Sequence, residues 1–323
     1  MFNMKSGLTV ETAPIKSQCS RDYFYSKNPI FENEFTKIEG QQKQLFARII
    51  EQQYIPPLNS RDHHDLLACI MFQIGRTVTT AAHQDDMANQ FGKAILRKHF
   101  ERDGRNDMLA YLDRVNISVP NGVLDAIQQH LTMYPLLGDL EVALFLNESN
   151  EDFVTSDHPV ALCNSLPPAT SPHGANVGFA SRGLLVLLPL SPRVLLLLSD
   201  REVYKVATDE NGIVKLAKAR DVIELNIAQC FNAHENLYFA SAAKVPATLS
   251  TYRKRREQLR PAPPALSETP ALTREGKRAI LLHCQPLNGG WCSRERLRFA
   301  TPPGPESTSK EMPSFATHFG LRW

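Results

Sequence analysis

Two tryptophans, six cysteines and no apolar run approaching twenty residues set the first limits on this 323-residue chain. The cysteines, at 19, 69, 163, 230, 284 and 292, form no Cys-x-x-Cys pair and lie scattered in apolar surroundings. That spacing is unlike a small secreted disulfide framework, and it fits a reducing, cytoplasmic setting. The longest apolar stretches, 184–190 and 194–198, are broken by Pro189, Ser191, Pro192 and Arg193. They fall far short of the roughly 20 residues that a membrane-spanning helix needs. Met1 to Val10 holds a lone lysine and no apolar run of secretory length. A Walker-type phosphate loop, G-x-G-x-x-G, G-x-S-x-G and H-E-x-x-H are all missing, which disfavours nucleotide-dependent and serine-hydrolase chemistry.

A net charge of +2 gives no argument for a polyanionic partner, but its distribution is uneven. Residues 1–250 carry a net −5, whereas 251–323 carry +7 together with nine of the 22 prolines and both tryptophans. The chain is expected to comprise a disordered N-terminus over 1–14, one α+β domain over 15–257, and a Pro-rich basic tail over 258–323. The tail is expected to be largely disordered, with one short strand at Arg278 to His283. An apolar content of 42% is ample for a core in the central part.

Within that part the hydrophobic period changes from helix to strand. Phe31, Phe35, Ile38, Leu45, Phe46 and Ile49 mark one face of a helix over 31–50. Ser60 suits the N-cap of a second helix with Leu66, Leu67, Ile70, Met71 and Ile74 inward, expected to continue past Arg76. Further helices are expected over 87–100 and 121–133. The run 140–146 reads as a strand that returns through a polar turn into Phe153 and Val154 as a hairpin. Runs 183–190 and 194–199 read as antiparallel strands, and their lack of polar alternation means both faces are covered. Asp209 to Gly212 is a turn, and 221–231 returns to helical spacing. The fold class is α+β: an N-terminal helical bundle packed on a mainly antiparallel C-terminal sheet, with a poorly ordered tail.

The motifs Cys19-x-x-Asp22-Tyr-Phe-Tyr25, Ile38-Glu-Gly40, Gln73-x-x-Arg76-Thr77, Thr155-Ser-Asp-His-Pro159, Pro189-x-Ser-Pro192 and Leu225-Asn226 followed by Asn236-x-Tyr238 share one order and spacing. In them the chain resembles the uncharacterised domain of unknown function 4238, over about residues 15–255. The resemblance implies that Asn176 to Gly183 leads into a central strand. It also implies an N-terminal His-x-x-Pro segment that does not precede Cys19, so the chain reads as shortened there. It supplies no activity.

Five residues are candidates for chemistry. Asp157 and His158 end the run from Phe153, where the histidine suits a proton shuttle or metal ligand and the acid suits a turn cap. Glu32 and Glu39, two helical turns apart, share one side of the first helix and suit a divalent cation or acid and base roles. Arg76 suits an anion or a structural pairing with Glu39. His63, His64 and His83 with neighbouring aspartates lack metal-ligand spacing. Two functions follow: a hydrolase, on nucleic acid or another phosphodiester, with Asp157 and His158 facing Glu32, Glu39 and Arg76, or a binding or scaffold module in which these groups are structural. Partners left open are nucleic acid, through Arg253, Lys254, Arg255 and Arg256, and a second copy of the chain.

Overall fold

The computed structural model describes residues 1–13, 29–119, 122–164, 178–258, 266–272, 278–284 and 300–301. The Cys19 to Tyr25 motif and the start of the loop at Asn176 lie outside them. Helix α1 (Pro29–Gln52) follows the expected apolar stripe. It ends before Pro56, with Gln53 in the left-handed region at φ 52°. Helix α2 (Arg61–Gly75) begins where Ser60 accepts the His63 N–H at 3.2 Å. It does not run past Arg76. Thr77 accepts the Thr80 N–H and starts α3 (Val78–Arg102), so a new N-cap breaks what sequence periodicity joined. A short α4 (Leu109–Leu112) and α5 (Gly122–Met133) complete the N-terminal helices.

Gly75 sets the crossing of α2 and α5, because a Cβ there would stand 2.9 Å from the Ile127 Cα and 3.1 Å from the Ala126 carbonyl oxygen. The helices approach backbone to backbone at this point, which no side chain permits.

Five strands form the central sheet: β2 (Leu140–Asn147), β4 (Ala161–Asn164), β5 (Leu184–Ser191), β6 (Val194–Asp200) and β8 (Ile213–Leu216), in the order β4-β5-β6-β2-β8. All neighbours are antiparallel except β2 and β8. The expected hairpin between 140–146 and 153–154 does not form. β2 instead lies between β6 and β8, while Phe153 and Val154 are buried in irregular backbone. Central pairing wins because it buries both faces of β2. Leu144, Val186, Leu196 and Leu198 pack against Leu45 and Ile49 of α1 and Leu67, Ile70 and Met71 of α2. Phe145, Leu185, Leu187 and Leu197 pack on the other side against Val222 and Leu225 of α6 (Ala219–Asn232) and Val245 and Leu249 of α7 (Val245–Gln258). Each leucine so enclosed contributes about 1.5–3 kcal/mol. The α+β class holds, with the helical layer on one face and the two late helices on the other.

A small second sheet, β1-β9-β3, joins β1 (Phe2–Asn3), β9 (Asn236–Tyr238) and β3 (Thr155–Ser156). Residues 1–14, expected to lie outside the fold, thus include a paired strand whose Phe2 enters the core. After β6 the chain forms the short strand β7 (Lys205–Val206). In the tail, β10 (Leu266–Leu272) and β11 (Arg278–Cys284) pair antiparallel, and β12 (Ala300–Thr301) pairs with β7. The single strand expected near 278 is therefore half of a hairpin. Among the described residues no helix is long and apolar enough to cross a membrane.

Candidate functional site

The segment 152–160 is short of ladder partners, since only Thr155 and Ser156 are strand. Buried backbone without a ladder needs side-chain partners, and α6 supplies them. Asn226, Gln229 and Asn232, three residues apart, form an amide ladder on one helix face. Asn226 accepts the Val154 N–H at 2.9 Å and donates to the Asp152 carbonyl at 2.8 Å. Gln229 donates to the Pro159 carbonyl at 2.8 Å, and its Oε1 lies 3.1 Å from the Ser156 hydroxyl. Asn232 donates to the carbonyls of His158 and Val160.

Asp157 turns the other way, to the stretch leading into β9. Its Oδ1 accepts the His234 N–H at 2.9 Å, and its Oδ2 accepts those of Glu235 at 2.8 Å and Asn236 at 3.0 Å. Its own N–H donates to the Asn236 carbonyl at 3.1 Å. One carboxylate thereby fixes three successive backbone amides.

His158 faces the helical layer. Its Nδ1 lies 3.4 Å from Thr77 Oγ1, which itself accepts the Thr80 N–H and directs its proton to the Ile74 carbonyl. Burial pushes the His158 pKa down to about 4, opposed by Asp157 and assisted by His130 and His234. His130 is also shifted down by burial, against the opposing effect of its 2.7 Å contact with the Ala126 carbonyl, and its ring meets Phe179 edge to face.

Next to Thr77, Arg76 pairs with Glu39 at 2.5 Å and lies over the Phe72 ring. Glu32 is exposed on α1, where its carbonyl accepts the Thr36 hydroxyl. The structure thus joins Glu39 to Arg76 and, through Thr77, brings their helix boundary to His158. It joins Asp157 to the His234–Asn236 backbone, and no hydrogen bond or ion pair links Glu32 to the other four among the described residues. Nor, among them, does any group of three or more His, Cys, Asp or Glu side chains come together to hold a metal ion.

Sequence reasoning missed Gln229, Asn232, His130 and the Thr77 contact with His158. The three-residue spacing of Asn226, Gln229 and Asn232 was the available signal, because an amide face on an otherwise buried helix implies polar backbone opposite. In the remaining motif, Ser191 accepts the N–H groups of Arg193 and Val194, and the Pro192 carbonyl accepts the Phe153 N–H. Of the basic run on α7, Arg255 is paired with Glu224 at 3.1 Å, whereas Arg253, Lys254 and Arg256 are exposed.

A family model described as protein of unknown function (DUF4238) matches residues 1–243. No curated protein and no solved structure matches the chain.

Proposed function

Because the chain belongs to the DUF4238 family of proteins of unknown function, whose description supplies no reaction, we propose from the geometry alone that it is a non-catalytic binding or scaffold module. The observation that carries this reading is the engagement of both Asp157 carboxylate oxygens by three backbone amides. Glu39 and Arg76 neutralise each other, and the Thr155 to Pro159 backbone is held by α6. In this reading Asp157, Arg76 and Glu39 are structural, His158 packs the two layers together, and Glu32 is a solvated flank. The exposed Arg253, Lys254 and Arg256 are the surface through which an acidic partner, nucleic acid included, would be met, in a cytoplasmic setting and with a homodimer left open.

The competing reading, a phosphodiester hydrolase, is favoured by one observation: burial keeps His158 a neutral imidazole, and its Nδ1 lies 3.4 Å from Thr77, the residue that follows Arg76. The two are separated by assaying purified protein on bis(p-nitrophenyl) phosphate and on single-stranded nucleic acid, with and without magnesium or manganese. The module gives no turnover above the blank. Turnover that His158→Gln abolishes while the fold is retained would overturn it.

A further inference from the structure

Helix α3 is long and poorly covered. Of its 25 residues only Thr80 is buried, so Met87, Phe91 and Ile95 all keep surface in water, Ile95 at 62% exposure. A helix in a folded chain draws most of its stability from packing an apolar face, and here that face is left open. The opposite side is occupied: Asn89 accepts the Ile117 N–H at 3.1 Å, Asp85 accepts the Val119 N–H at 3.0 Å, and Gly92 lies against Ile117. Turned away from those contacts, Gln84, Met87, Ala88, Phe91 and Ile95 follow three- and four-residue spacing and make a single stripe.

The stripe changes character along its length. Its first four members form one wall of an open groove of about 510 Å³ whose other wall is α5, and among the described residues Asp125 is the one charged group of the lining. Gln84 donates to Gln129 Oε1 at 2.7 Å and ties the walls together. Ile95 stands one turn beyond Phe91 and projects, and Lys98 and Arg102, both exposed, continue the same face. One half is thus a hollow beside a carboxylate, and the other is an apolar knob beside cations.

Such a surface is complementary to itself once reversed. We propose that two copies of this chain pair through α3 as an antiparallel twofold dimer with Phe91 at the axis. Ile95 of one copy then seats against Ala88 of the other, Met87 against Ala94, and Lys98 beside Gln84, at the groove that carries the Asp125 charge. Large side chains meet small ones, as interdigitating helices require, and opposite charges meet. A parallel pairing would set hollow against hollow and lysine against lysine. Four helical turns with one flanking wall fall short of the about 800 Å² per partner of a standard interface, so the dimer is a weak one. This assignment goes beyond the function proposed above and holds for a module or a hydrolase alike.

The test is sedimentation equilibrium of the full-length chain, with a dissociation constant of about 1–100 μM expected for an interface of this size. Ile95→Asp, at an exposed position that leaves the monomer intact by circular dichroism, weakens association about 100-fold by placing a charge in the seam. Ala88→Arg fills the hollow and weakens it about tenfold or more. Asp125→Lys sets like charges together and weakens it about threefold or more. Leu58→Asp, at an exposed apolar residue on the α1–α2 connection, changes nothing. Should Ile95→Asp fail to fold, Ala88→Arg and Asp125→Lys decide the matter. The register is read by oxidative cross-linking against a wild-type blank: Phe91→Cys links copy to copy at the axis, whereas Gln90→Cys, about 100° round the helix, does not. The proposal is overturned by a chain that stays monomeric up to about 500 μM, by association that Ile95→Asp and Ala88→Arg leave intact, by an equal loss in Leu58→Asp, or by a Gln90→Cys cross-link as strong as that of Phe91→Cys.

Discussion

Replacing Asp157 distinguishes a structural carboxylate from a chemical one. Its three acceptor contacts go to backbone N–H groups, two of them part-buried and one exposed. A hydrogen bond to a charged acceptor contributes about 1.5–3 kcal/mol when buried and less when water competes. Removing all three through Asp157→Ala is therefore expected to cost about 2–4 kcal/mol. Asp157→Asn keeps one oxygen, but its amide NH2 then opposes at least one backbone N–H, donor against donor. Its cost is about 1–2 kcal/mol. For a chain of this size 1 kcal/mol corresponds to about 2–4 °C, so the melting temperature should fall about 3–6 °C in Asn and roughly twice that in Ala. Thermal unfolding followed by circular dichroism reads both. The ordering matters as much as the size, because it follows from the number of acceptor oxygens retained. An unchanged melting temperature in both variants would refute the reasoning and return the carboxylate to the candidates for chemistry.

Four further outcomes are expected. Glu39→Gln breaks an ion pair whose side chains remain 47% and 27% exposed, so stability changes by less than about 1 kcal/mol and the effect shrinks with added salt; a larger loss in a salt-dependent melt would show the pair to be more than a surface contact. Gly75→Ala forces a Cβ against the Ile127 backbone and costs about 1–3 kcal/mol by denaturant titration, whereas Gly40→Ala, with open space around it, costs nothing or stabilises α1. Asn226→Ala leaves the Val154 N–H and the Asp152 carbonyl without their partner and costs about 2–4 kcal/mol in the same titration. The His158 ring takes up its proton in the folded chain only near pH 4, against 6.5 for an ordinary histidine, so between these values the unfolded chain binds the extra proton. Stability is then full above about pH 6.5 and falls toward pH 4, and melts across that range should show a shallower slope in His158→Gln.

What was legible in the sequence divides by the distance over which an interaction acts. The helices at 29–52, 61–75 and 219–232 announce themselves because a 3.6-residue period is written within one turn of chain. The antiparallel pair β5 and β6 is equally local, joined across Ser191-Pro192-Arg193. The failure at 153–154 has the opposite cause. A nearby apolar run made a hairpin the economical guess, yet the partners that satisfy this backbone are Asn226, 72 residues away, and Pro192. Asp157 is the same case, since its amides lie 77 to 79 residues on and nothing beside it in the sequence points to them. Adjacent acid and imidazole therefore read as one polar unit although the fold sends them to different elements, Asp157 to the approach to β9 and His158 to the cap of α3. That separation is also why motif order alone gave no reaction. Of the motif pieces, the Thr155 to Pro159 segment, Leu225-Asn226 and Asn236-x-Tyr238 meet in one junction, brought together by contacts that span more than 70 residues of chain.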